Sequence, residues 1–140
     1  MREKQTPRKA VLNIAPAAGR RYEMGGMTSY FLADEEETSA EYSISEWWLE
    51  PHQAGSGPHS HETQDDMFFV LEGVMTFFID GKRIEAPKGT FLRAPAGIEH
   101  DFENSSDVRA GFLNIQVSGG FERDMPAIVR WFVDNPPEKD

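Results

Sequence analysis

The feature that most limits what this chain can fold into is its punctuation. From Met27 onward, runs rich in Phe, Val, Ile and Tyr are cut at short intervals by Asp80-Gly81, Pro87-Lys88-Gly89, Pro95-Ala96-Gly97 and Asn104–Asp107, none of which can continue a ladder. The β-branched and aromatic residues in these runs favour the pleated backbone. The spacing predicts strands over Met27–Ala33, Glu41–Glu50, Asp66–Glu72, Val74–Ile79, Lys82–Glu85, Thr90–Ala94, Ile98–Glu103 and Val108–Val117. Asp80-Gly81 is a strong signal for a tight hairpin turn. The Gly-rich stretch Pro51–Pro58 reads as a loop, and the acidic cluster Asp34–Glu37 as a solvated turn. Such a series is all-β, and its spacing suggests a sandwich or a barrel.

The period changes near the C-terminus. Phe121, Met125, Ile128, Val129 and Phe132 recur at helical intervals before Asn135-Pro136-Pro137, so a short helix over about 121–134 should dock on the barrel. Asp124 is placed to cap it, with Pro126 in its first turn. At 140 residues the chain suits one domain, over 11–140, after a flexible tail over 1–10. The basic stretch Met1–Lys9 followed by Ala10–Ala18 imitates a signal peptide, but Asn13 and Pro16 interrupt its apolar part. The expectation is a cytoplasmic protein. No apolar run reaches the roughly 18 residues that would span a bilayer. With 24 acidic against 14 basic residues and a net charge of −10, the chain would repel nucleic acid. It has no cysteine, so a metal would have to be held by His, Asp or Glu.

The chain has four histidines, and three sit where a metal site would explain them. His59 and His61 are two residues apart, which on extended backbone offers both imidazoles to one point. Asp66 starts a strand after a short connection that can return a carboxylate toward them, and His100 follows a Pro-x-Gly turn. Glu62, Gln64 and Asp65 are alternative oxygen donors, although Asp65 has the opposite strand parity to Asp66. His52, in the Gly-rich loop, reads as a solvated residue.

These residues resemble the two motifs of the cupin superfamily. The second motif, G-x5-P-x-G-x2-H-x3-N, is matched at Gly89, Pro95, Gly97, His100 and Asn104. The first, G-x5-H-x-H-x3-4-E-x6-G, is matched at His59, His61 and Gly73, with Asp66 in place of the ligand Glu and Gln53 in place of the leading Gly. The 15 residues between Gly73 and Gly89 are similar to compact single-domain members, and the resemblance covers about residues 40–120. It implies a double-stranded β-helix, or jelly-roll barrel, with one divalent transition metal per chain held by His59, His61, Asp66 and His100. That donor set suits Fe, Mn, Ni, Co, Cu or Zn and leaves positions for small molecules. The shorter Asp66 coordinates directly or acts through a water or an imidazole.

If Asp66 and His100 point inward, strand alternation places Phe68, Val70 and Phe102 on the same faces, as pocket residues. On the last strand either Phe112, Asn114 and Gln116 or Leu113, Ile115 and Val117 face in, and the apolar set is the expected one. Trp47 and Trp48 must point to opposite faces, one into the core or pocket wall and the other toward a partner subunit or the terminal segment. The resemblance also implies a homodimer acting on a small molecule. Three activities fit it: a dioxygenase-like oxidoreductase similar to quercetin dioxygenase-like cupins, a metal-dependent isomerase or lyase on a sugar-like or carboxylate substrate, and a binding module without turnover. The second needs a proton carrier, for which Glu46, Tyr30, Tyr42 and His52 are candidates.

Overall fold

The computed structural model describes residues 10–55 and 57–136; the tail expected over 1–10 falls almost wholly outside them, as does the end of the Pro136-Pro137 stop. The chain runs β1 (Arg20–Met24), β2 (Met27–Ala33), α1 (Glu35–Thr38), β3 (Ser43–Leu49), β4 (Gln53–Ala54), β5 (Asp65–Glu72), β6 (Val74–Ile79), β7 (Lys82–Pro87), β8 (Phe91–Ala94), β9 (His100–Asn104), β10 (Ala110–Val117), a 3-10 turn (Phe121–Asp124) and α2 (Met125–Asp134). Two antiparallel sheets face each other, one in the order β1-β2-β3-β10-β5-β8 and one in the order β4-β9-β6-β7. From β5 to β10 the chain passes repeatedly between the sheets, which is the jelly roll expected from the sequence. Asp80 and Gly81 both adopt positive φ, 54° and 74°, and close the β6–β7 hairpin with a twist that matches its strands.

The core is the space between the two inner faces. Phe68, Phe77, Phe102 and Phe112 meet edge-on or tilted there, with Phe68–Phe77 and Phe102–Phe112 centroids 4.9 Å apart. On the large sheet the inner face is graded by row. Trp47, Phe112 and Val70 lie opposite one another on β3, β10 and β5; the next row is Ser45, Asn114 and Phe68; the last is Ser43, Gln116 and Asp66. All nine are buried. Polarity therefore rises along the barrel toward one end.

That register overturns the expectation that Leu113, Ile115 and Val117 face inward. Residues directly opposite in a ladder share a face, so pairing of Gln116 with Asp66 and of Asn114 with Phe68 commits β10 to bury its polar set. The cost is offset by partners, since Asn114 Nδ2 donates to the Asp66 carboxylate and to the Met67 carbonyl. Trp47 is buried, whereas Trp48 lies on the outer face under the Arg109 guanidinium, 4.6 Å from the ring centroid. Gly111 leaves room for that indole, because a Cβ there would meet Trp48 ring atoms at 2.2 Å.

Asp34 is not the solvated turn residue expected from its acidic neighbours. It is 1% exposed, and its two oxygens accept the Gly120 and Glu122 amide hydrogens at 2.6 Å each. Asp34 thus holds the 3-10 turn that leads into α2, while Asp124 makes no side-chain cap; Pro126 does sit in the first turn of α2. Asn104, the last position of the second motif, is a fastener between loops: its Nδ2 lies within 3.1 Å of the Leu49, Glu50 and Val108 carbonyls, and its Oδ1 accepts from the Ser106 amide and hydroxyl. No helix among the described residues is long and apolar enough to cross a membrane.

Candidate metal centre

The segment carrying His59 and His61 behaves as an added strand. His59 and His100 exchange both backbone hydrogen bonds, at 2.9 and 2.8 Å, and the Gly97 amide donates to the His61 carbonyl at 2.7 Å. Alternation along this pinned backbone turns both imidazoles toward the interior. His100 opens β9 and Asp66 lies at the polar end of β5, so the two sheets contribute opposite sides of one cluster. One donor atom each from His59, His61, Asp66 and His100 lies within 4.8 Å of all the others.

Hydrogen bonding fixes which atoms are presented. His59 Nδ1 lies 3.0 Å from the Gly57 carbonyl, and His100 Nδ1 lies 3.0 Å from the Ile98 carbonyl. A carbonyl only accepts, so each Nδ1 carries the proton and, in the neutral ring, Nε2 presents its lone pair. His100 Nε2 is 2.9 Å from Asp66 Oδ2, and His61 Nε2 is 3.5 Å from the same oxygen. A lone pair facing a carboxylate oxygen at that distance is repulsive unless a cation lies between them. In the protein alone the cation is a proton. Burial would raise the Asp66 carboxyl, but the facing His100 and His61 imidazoles and the Asn114 amide outweigh it and hold it at about 2. Burial would lower His100, but its bond to Asp66, its bond to the Ile98 carbonyl and the Asp66 and Asp101 charges together outweigh burial and raise it. Burial pushes His59 down and keeps it neutral.

These residues fit a divalent transition metal. Three nitrogens and one oxygen converge, and the remote Nδ1–H groups of His59 and His100 are tied to carbonyls, the support that orients imidazole ligands and sets their tautomer. Asp66 Oδ1 is held by Asn114, which leaves Oδ2 to face the histidines. The alternative oxygen donors are directed elsewhere. Asp65 Oδ1 accepts the Ala96 amide, Gln64 Nε2 donates to the Ser118 and Gly119 carbonyls, and Glu62 is exposed. His52 is exposed, with its Nε2 2.6 Å from Asp107.

The cluster borders a cavity of about 290 Å³ whose lining includes His59, His61, Trp47, Phe102, Phe121 and Ile128, with Asp124 as its carboxylate. Of the three pocket residues read from alternation, Phe102 lines this cavity, whereas Phe68 and Val70 are buried in the core behind the cluster. Helical periodicity marked Phe121 and Ile128 as a docking face, but could not show that part of that face roofs a cavity. Gln116 was missed as a neighbour of the site because its strand was assigned the opposite face; its Nε2 lies 3.2 Å from His61 Nε2.

Comparison with known proteins agrees with this architecture. The chain is 36% identical over 64 residues to quercetin 2,3-dioxygenase of Bacillus subtilis (strain 168), a match covering 46% of this chain and only 19% of that protein. The structure of KdgF from Halomonas sp. superposes with a TM-score of 0.68 at 14% identity, over 79% of this chain and 96% of that one. The polyketide cyclase RemF from Streptomyces resistomycificus gives 0.66 at 21% identity, over 78% of this chain and 80% of that one. Residues 45–116, half of the chain, match the Cupin domain family model, and they contain all four members of the His/Asp cluster. The chain belongs to the cupin family.

Proposed function

We propose that this cupin is a metal-dependent, dioxygenase-like oxidoreductase of the cytoplasm acting on a small molecule, with His59, His61, Asp66 and His100 as the ligands of one divalent transition metal. The observation that carries the reading is the juxtaposition of a three-imidazole, one-carboxylate cluster with an apolar cavity large enough for a ring-sized molecule. The partial likeness to quercetin 2,3-dioxygenase supports the same direction. Held by these four residues, the metal would supply a Lewis-acidic centre for an oxygen-bearing substrate and dioxygen. The chain's own residues do the rest. Trp47, Phe102, Phe121 and Ile128 hold the apolar body of the substrate and exclude water, while Asn114 holds Asp66 and the Gly57 and Ile98 carbonyls hold His59 and His100 in the ligating tautomer.

The test is oxygen uptake by metal-loaded protein offered a phenol, a β-diketone and a thiol. Uptake above the metal-only control is expected with at least one of them; none with any would count against oxygenase chemistry. A second reading, Lewis-acid isomerisation or elimination, has one observation in its favour: Asp124 places a carboxylate on the cavity wall where a proton could be exchanged. Glu46, Tyr30 and His52 do not line that cavity, nor does Tyr42. Turnover that persists with oxygen excluded and is lost in Asp124→Asn would replace the first reading by the second.

The protein is further proposed to act as a homodimer joined through the outer face of the large sheet. Phe69 and Phe91 lie side by side there at 40% and 57% exposure, next to Met67, Leu113, Ile115 and Val117.

A further inference from the structure

The polar row at the end of the large sheet contains more than the metal ligand. Ser43, Gln116 and Asp66 stand opposite one another on β3, β10 and β5, all facing inward and all at most 2% exposed. Asp66 is accounted for by His100 and Asn114. The other two are not. The Ser43 hydroxyl is buried without any hydrogen-bond partner, and the Gln116 amide nitrogen has as its bond a contact of 3.2 Å with His61 Nε2.

That second contact cannot survive metal binding. A lone pair given to a metal is no longer an acceptor, so the Gln116 N–H loses its partner when His61 becomes a ligand. Leaving a buried amide donor unpaired costs about 1–3 kcal/mol, and two neighbouring polar groups without partners are rare in a barrel interior. Asn114 differs in this respect: its two N–H groups go to Asp66 and to the Met67 carbonyl, neither of which depends on His61. In this row Gln116 and Ser43 are left in need of an oxygen atom when the site is loaded; the Ser29 hydroxyl, also buried without a partner, lies two rows away opposite Trp47.

We propose that Gln116 and Ser43 are positioning residues for the substrate, a polar shelf that receives an oxygen atom of the ligand entering the metal's open positions. The inference rests on the metal-centre reading above and deepens it. It defines the substrate class as a molecule with two faces: an oxygen-bearing, metal-chelating head that accepts hydrogen bonds from Gln116 and Ser43, and an apolar body that lies against Trp47, Phe102 and Phe121. Neither residue is required as a metal ligand, so their contribution is to ligand binding and orientation.

The experiment uses the full chain loaded with Co(II), whose visible absorption reports both metal occupancy and entry of a further ligand. The probe is acetohydroxamate, a small molecule with two chelating oxygens. Wild type should bind Co(II) and shift its spectrum on titration with the probe. Gln116→Met keeps the shape of the side chain and removes the donor; it should hold Co(II) within about threefold of wild type and bind the probe about tenfold more weakly. Ser43→Ala should weaken the probe by about threefold while leaving the melting temperature unchanged or higher, because the hydroxyl it removes has no partner in the fold. Unchanged probe affinity in Gln116→Met would overturn the proposal, as would a wild-type protein that binds Co(II) and not the probe. Should Gln116→Met fail to fold, Ser43→Ala decides alone by the same criterion. Failure of wild type to bind Co(II) is a different result, which removes the metal-centre reading and this inference with it.

Discussion

Replacing Asp66 by asparagine separates the two cations that the site is built to hold. In the chelated protein the carboxylate stabilises the fold by sharing a proton with His100. The sign follows from both partners. The folded Asp66 carboxyl titrates at about 2 against an ordinary 3.8, so its stabilisation is present above 3.8 and lost as pH falls toward 2. His100 is raised above its ordinary 6.5, so its share is complete below 6.5 and lost as pH rises through its folded value. The two describe one proton and are not added. The drop from 3.8 to about 2 corresponds to roughly 2 kcal/mol. Between about pH 4 and 6.5, wild type should therefore melt roughly 6–8 °C above Asp66→Asn in the presence of a chelator. Above that window the gap should close or invert, because the variant's amide can donate to the Nε2 lone pair of neutral His100 while the carboxylate only faces it. With Zn(II) at pH 8 the order should reverse again, since wild type binds the metal with its full ligand set. Scanning calorimetry of both proteins from pH 4.5 to 8.5, with and without metal, measures this. A difference in the chelated proteins that stays constant or grows with pH would refute the shared-proton argument.

Asn104→Ala removes a buried fastener of the Leu49, Glu50 and Val108 carbonyls and the Ser106 groups, and should cost about 3–4 kcal/mol, read as a fall of more than about 10 °C in melting temperature with metal stoichiometry unchanged in the folded protein. Asp34→Ala should cost about 1–3 kcal/mol and accelerate amide hydrogen exchange at Gly120 and Glu122, the two groups it holds; unchanged exchange there would show that the turn is held by other contacts. Phe69→Glu combined with Phe91→Glu should convert a dimer to a monomer in light scattering without loss of metal, and a wild-type monomer across micromolar concentrations would remove the dimer proposal.

The barrel was legible from Met27 onward because its turns are chemically marked. Asp80-Gly81 and the Pro-x-Gly breaks need backbone conformations that few residues supply, so they mark where strands separate, while the ends shift by a residue or two: β7 runs on to Pro87 and β9 opens only at His100. β1 was not legible: Arg20–Met24 is an edge strand with charged outward positions, and it has little apolar alternation to show. The face of β10 was misjudged for a related reason. Its outer residues pack as apolar neighbours on the sheet surface, so alternation alone gave no preference for the polar set, and the deciding fact was its register against Asp66 on β5. The histidines were readable because a His-x-His on extended backbone and a His after a Pro-x-Gly turn have few other uses. The cavity was not, since its roof comes from α2 and its floor from β2, β3 and β9, which are distant in sequence. Asp34 shows the same limit. Its neighbours advertise a solvated turn, and only the return of the chain at Gly120 and Glu122 gives it two buried amides to hold.

Metal content is the direct test of whether His59, His61, Asp66 and His100 form one metal centre. Elemental mass spectrometry should be run on tag-free protein purified without chelator, and again after equilibration with excess divalent metals and desalting, beside His59→Ala/His100→Ala. Wild type should hold close to one metal per chain, lost below about pH 6 as the imidazoles take up protons, and the double variant should retain none. No retained metal in wild type, or full occupancy at pH 4.5, would contradict it.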